Sequence, residues 1–238
     1  MSPLTTYLIR HGRTDYSARY LVNGDPARPI QLDEEGVRAC HAARSTLPVH
    51  SIRTWIASAF ARAQQTAVIL KNDPATCLSV NPLLNELGYG AFEGAPFLDY
   101  AAWLQHNGPW IRPPEAGESQ REGIRRMVLG LLAALEQPGP RIVVAHGLLL
   151  SVLGWHMART RGAPMPLFFP EAPYLVPLVM SDDRLTDRAS SLLEELDAQV
   201  HPGQPAPGDS PIFGTETAPI LATFDSLSAP LEEKPPHA

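Results

Sequence analysis

The chain has 238 residues, 44% of them apolar and 18% charged, with 19 Lys and Arg against 25 Asp and Glu for a formal net charge of −6. That length suits one enzyme domain of about 190 residues and a tail. An acidic balance without a basic block argues against nucleic acid as a partner, and the absence of any run of about 20 apolar residues argues against a membrane span.

The opening MSPLTTYLIRHG lacks the basic and long apolar segments of a secretory signal, so a cytoplasmic location is expected. Within it, Tyr7-Leu8-Ile9 is a short apolar run stopped by Arg10-His11-Gly12. This predicts a buried strand with a polar cluster at its C-terminal end, where open α/β sheets place ligands. Residues 33–45 open with acidic residues and continue with Val37, Cys40 and Ala43, a helix with favourable negative charge at its start. Cys40 and Cys77 stand outside any CxxC or Cys/His cluster, so they read as reduced thiols and no metal or cofactor is expected.

Trp55 to Ser58 reads as a second strand and residues 61–71 as a helix. After Val80 and Asn81-Pro82, residues 83–87 lead into Gly88, Gly90 and Gly94, a loop that bends tightly enough to shape a pocket. Residues 92–118 are expected to form a lid insertion over it. Its Phe97, Tyr100, Trp103 and Trp110 suit lid core and ligand contact equally. Residues 119–136 carry Ile124, Met127, Val128, Leu131, Leu132 and Leu135 at helical spacing, opened by a capping box of Ser119 and Glu122.

Pro138-Gly139-Pro140 ends that helix. Residues 141–145 form a central strand delivering His146-Gly147, and residues 148–157 return as an apolar helix. Five prolines between 164 and 180 predict a loop and an edge strand, and the strand near 174–180 offers a surface for a homodimer. The alternation predicts a three-layer α/β/α sandwich with a mostly parallel central sheet over residues 1–199. From residue 200 the sequence is too rich in proline and polar residues to pack a core, and reads as an extended tail over 200–238.

Four elements carry chemistry. Arg10 beside His11 at a strand end can bind a phosphate bidentately, although an arginine paired with a carboxylate is the plainer reading of that tripeptide alone. Arg62 starts a helix, where anions are attracted, or is a solvated surface charge. His146 ends the most apolar strand and can meet His11 at one pocket edge. Glu86 stands at the mouth of the glycine-rich loop, where a carboxylic acid could protonate a leaving oxygen, with Glu93 and Glu118 competing for the role.

In order, LIRHG, SxxxRAxQTA, NELGYGAFEG and VVAHG resemble the histidine phosphatase superfamily, the phosphoglycerate-mutase-like fold, from about residue 7 to residue 153. Gly117-Glu118-Ser119 and the LDEEG of residues 32–36 match further blocks. The resemblance implies that His11 becomes a phosphohistidine, that Arg10, Arg62 and His146 clamp phosphoryl oxygens, that Glu86 is the general acid, and that no metal is needed. Family members carry Gln or Glu after RHG and Asn six residues past the histidine. Here Arg13 and Ser17 stand there, Ser17 still able to donate one hydroxyl proton to phosphate and Arg13 facing either pocket or solvent. Leu148 replaces a second glycine.

NELGYGAFEG resembles the phosphatase branch more than the mutases. The expectation is therefore a metal-independent phosphomonoester hydrolase acting on a small phosphorylated metabolite. A phosphoglycerate-type mutase and a non-catalytic phospholigand or protein binder are the alternatives.

Overall fold

Along β4, Ile142 and Val144 bury their side chains on one face of the sheet while Val143 and Ala145 bury theirs on the other, so a strand with no exposed residue must be covered on both sides. The structure is a computed structural model that describes residues 4–160 and 162–199. The stretch expected to be an extended tail lies outside the described residues.

Strands β1 (Thr5–Arg10), β2 (Thr54–Ala57), β3 (Leu78–Val80), β4 (Arg141–Ala145) and β5 (Leu178–Ser181) form one sheet in the order β3-β2-β4-β1-β5. All neighbours are parallel except β5, which runs antiparallel to β1 at the edge. Helices α2 (Glu34–Arg44) and α3 (Ala61–Lys71) cover the face of Ile9, Trp55, Ala57, Ile142 and Val144. Helices α5 (Gln120–Leu135), α6 (Gly147–Ala158) and α7 (Asp182–Ala198) cover the face of Leu8, Ile56, Val143 and Ala145. The short α1 (Asp15–Ala18) follows β1, and α4 (Phe97–Asn107) lies in the segment between β3 and α5. The three-layer α/β/α sandwich expected from the sequence is the observed fold.

The capping box of Ser119 and Glu122 opens α5 as expected, each side chain satisfying the other's backbone N–H. Asp33 caps α2 by accepting from the Gly36 N–H at 2.7 Å. Three elements went unforeseen: β3, which is only three residues long, α4 and α7. The edge strand is also shorter than the expected 174–180, because Leu175 adopts φ +61 and its N–H donates to the Arg10 carbonyl, turning residues 174–175 toward the end of β1. Among the described residues, no helix is long and apolar enough to cross a membrane.

Arg141 starts the central strand with a fully buried side chain. Its guanidinium donates to Asp182 Oδ1 at 2.7 Å, Thr6 Oγ1 at 2.8 Å and the Gln137 carbonyl at 2.6 Å. Removing one partner of such a pair strands the other's charge in the core. Asp182→Ala is expected to destabilise the fold by about 3 kcal/mol, read as a lower denaturant midpoint with an unchanged slope.

Candidate active site

The parallel register places the site. Arg10 pairs with Ala145 across β1 and β4, and the His11 N–H extends the ladder by donating to the Ala145 carbonyl at 3.0 Å. His11 and His146 therefore leave adjacent strands at the same end of the sheet, with ring centroids 5.2 Å apart in an edge arrangement. On the other side of β4, the Ser58 N–H donates to the Val144 carbonyl, bringing Ser58 and the start of α3 to the same end. The Gly12 N–H donates to Thr66 Oγ1 on α3 at 3.0 Å, and a Cβ at position 12 would crowd Cys40 Sγ at 3.0 Å, a tight approach that glycine makes without displacing it.

Arg62 is the hub. Its Nε donates to His11 Nε2 at 3.0 Å, its Nη2 to His146 Nδ1 at 3.3 Å and to the Asn23 carbonyl at 3.0 Å, and its Nη1 to Asn23 Oδ1. None of these partners is a carboxylate. The guanidinium is 4% exposed, and burial lowers its pKa to about 10.

These contacts settle both imidazoles. A guanidinium only donates, so His11 Nε2 accepts and its Nδ1–H donates to the Gly12 carbonyl at 2.7 Å. By the same logic His146 Nδ1 accepts and its Nε2–H donates to Ser58 Oγ at 2.7 Å. Burial first, and Arg62 second, hold both rings well below the ordinary histidine pKa, so both are neutral near pH 7. The Nε2 lone pair of His11 is thus held by the Arg62 Nε–H at the cavity wall.

Arg10 lies over the Tyr174 ring at 3.8 Å and donates to Glu171 Oε1 at 2.8 Å, to the Ala172 carbonyl and to the Tyr174 hydroxyl at 3.1 Å. Its Nε is buried without a partner, one donor still to be matched at the site.

The three candidate carboxylates part company. Glu118 makes a two-pronged ion pair with Arg126, at 2.6 Å and 2.9 Å. Glu93 accepts from Asn23 Nδ2 and from the Gly24 N–H, both at 2.7 Å, which fixes the loop that holds Arg62. Glu86 lines the cavity, accepts among the described residues only from the adjacent Leu87 N–H at 2.9 Å, and is pushed above the ordinary carboxylate pKa by burial. Arg126 places it, donating to the Leu83, Asn85 and Glu86 carbonyls.

Arg10, His11, Ser17, Arg62 and Glu86 line a single cavity of about 690 Å³, while His146 is wholly enclosed behind Arg62. Ser17 reaches the cavity, but its hydroxyl donates to the Thr14 carbonyl and accepts from the Thr14 N–H as part of the α1 cap. Arg13 turns outward, with Nε on Asp33 and Nη1 on Glu35, both at 2.7 Å. Leu148 and Gly147 line the wall. Phe97 and Tyr100 of the expected lid face the cavity, whereas Trp103 packs against Tyr100 and Phe92.

Asn23, Arg126 and Tyr174 went unnoticed in the sequence. Asn23-Gly24 ahead of Asp25-Pro26 carries only a turn signal, and Arg126 resembles any polar residue on a helix. Among the described residues no three of His, Cys, Asp and Glu gather as metal ligands, and the cationic groups around His11 are arginines.

A relative in Yersinia pestis (strain Pestoides F), named "Probable phosphoglycerate mutase GpmB", is 33% identical over 159 residues, 63% of this chain and 73% of that protein. The alpha-ribazole phosphatase of Shigella flexneri shares the fold at a TM-score of 0.57 and 23% identity, over 74% of this chain and 89% of that one. A mycobacterial glucosyl-3-phosphoglycerate phosphatase, solved with VO3, aligns at a TM-score of 0.52 and 26% identity, over 64% of this chain and 80% of that one. The profile described as histidine phosphatase superfamily (branch 1) matches residues 6–186. By that match, which takes in the strand ends carrying His11 and His146, this chain belongs to the histidine phosphatase superfamily, branch 1.

Proposed function

We propose that this protein hydrolyses phosphomonoesters through a phosphohistidine on His11. The observation that carries the reading is a buried Arg62 whose hydrogen-bond partners are uncharged and whose Nε–H holds the Nε2 lone pair of a neutral His11 at the cavity wall. A buried cation with no carboxylate among its hydrogen-bond partners favours an anionic ligand, and a phosphoryl group fits the donors available.

In this mechanism His11 Nε2 attacks phosphorus, forming the N–P bond as the P–O bond to the ester oxygen breaks and that oxygen leaves as the alkoxide. The Nδ1–H bond to the Gly12 carbonyl stabilises the positive charge gained by the ring. Arg62 Nε exchanges His11 Nε2 for a phosphoryl oxygen, and Arg10 Nε supplies a second donor. His146 keeps Arg62 oriented from behind. Glu86 gives its proton to the departing alkoxide, then removes one from the water that cleaves the N–P bond, which restores both groups.

Glu86→Gln is expected to slow an alkyl phosphate by about 10² to 10⁴-fold while slowing an activated aryl phosphate by less than about tenfold. Because the acid must be protonated and its pKa is raised, kcat/KM for the alkyl ester should fall as pH rises through that raised value. The variant should lose this alkaline limb. The acid limb, set by the lowered pKa of His11, lies below pH 6.5 and should persist. Equal slowing of both esters would remove Glu86 from the acid role.

The deciding experiment is a panel of phosphomonoesters with EDTA present. Phosphate release supports hydrolysis. Isomerisation of phosphoglycerate without release would favour the mutase reading, to which the Yersinia relative's name points, and binding without reaction would favour a phospholigand binder.

A further inference from the structure

The charged side chains lining the cavity sit at one end of it. Arg10 and Arg62 flank His11, and the acidic side chains on its wall are Glu86, the proton-carrying acid, and Glu171. Glu171 is 65% exposed and already holds Arg10 Nη1 at 2.8 Å. A phosphate dianion therefore uses the whole cationic complement of the wall. A second anionic group on the same molecule would meet no further arginine or lysine among the described residues of the wall.

The rest of the wall includes Leu98, Tyr100, Leu104, Phe168 and Phe169; of its polar side chains Gln105, Gln120 and Ser151, Gln120 already donates to the Leu167 carbonyl and Ser151 already accepts from the Ala172 N–H. Tyr100 and Leu104 are buried beneath, while Leu98 and Phe168 are 76% and 43% exposed at the cavity's edge. Soluble proteins place isolated apolar residues in water freely, but an apolar rim continuous with an apolar cavity marks a surface for an apolar ligand. The cavity, about 690 Å³, falls in the range that encloses molecules of about drug size, far more than a phosphorylated three-carbon acid fills.

Resting on the hydrolase reading above, we infer that the substrate is a phosphomonoester of an uncharged, predominantly apolar alcohol, long or aromatic enough to extend from His11 across Tyr100 and Leu104 to the rim at Leu98 and Phe168. Specificity on this view comes from two sources. Apolar contact rewards each buried methylene, roughly threefold apiece, and a second negative charge would give up its hydration with no further cation on the described wall to receive it.

The test uses the full chain and two sets of esters. From ethyl through butyl to octyl phosphate, six added methylenes at roughly threefold apiece should raise kcat/KM about 700-fold. In the matched pair of butyl phosphate and 3-carboxypropyl phosphate, the uncharged ester should be preferred by about tenfold or more. Leu98→Asp, at an exposed position that places no strain on folding, should cut the octyl-to-ethyl preference about tenfold.

A flat alkyl series with phosphate released throughout, or preference for the carboxylated ester, overturns the inference and leaves the hydrolase reading standing. Release from none of the esters overturns the hydrolase reading instead. Octyl- and ethylphosphonate binding then judges the pocket, and equal affinities overturn the apolar assignment.

Discussion

His11→Ala should lower phosphate release by a factor on the order of 10⁴ or more, and the variant should retain no labelled phosphate after an alkaline denaturing quench. The size follows from chemistry that no neighbour can replace. Water has no lone pair held at the position of Nε2, and the other imidazole, His146, has its Nδ1 on Arg62 and its Nε2–H on Ser58, wholly enclosed. Loss of the ring also removes the Gly12 carbonyl's donor, which is a loss to stability as well as to activity. His11→Asn serves as the companion variant, because it keeps a polar side chain there while lacking the nucleophile. Full turnover in either folded variant, or label still bound to His11→Ala, would dismiss the phosphohistidine.

The second large effect is at Arg62. Arg62→Met should reduce kcat/KM on the order of 10³-fold, because it removes the donor that holds the transferring group and the one that orients both histidines. Arg62→Lys should recover little of this. An ammonium on a flexible stem does not span His11, His146 and both oxygens of Asn23 as the planar fork does. Asn23→Ala leaves the guanidinium in place but frees its far end, so a milder loss of about tenfold is expected, chiefly in kcat. A metavanadate or phosphate thermal shift offers an independent reading: the anion should stabilise the native chain, through the buried charge of Arg62, and fail to stabilise Arg62→Met. Activity of Arg62→Lys near the native level would mean that charge alone suffices and that the fork geometry is irrelevant.

Much of this was legible before any coordinates, and for local reasons. The apolar runs at 7–9 and 141–145 read by composition as a buried and a central strand, and the polar residues that stop them, Arg10-His11 and His146, had to lie at the strand ends. Helices α3 and α5 were readable because periodicity and the Ser119 cap are properties of a few consecutive residues. The unforeseen β3 is three residues long and half exposed, and gains its identity only by pairing with β2.

What the chain alone left open was every choice that depends on residues far apart. Glu86, Glu93 and Glu118 are equivalent as letters. They differ because folding brings Arg126 to one, Asn23 and Gly24 to another, and the cavity wall to the third. Arg13 and Arg10 lie three residues apart, yet the strand's end sends one out to Asp33 and Glu35 and the other over Tyr174. Burial and charge balance are sums over the whole packed neighbourhood, so the neutral state of His11, the unmatched cation of Arg62 and the apolar reach of the cavity exist only once the sheet and its two helical layers have closed around them.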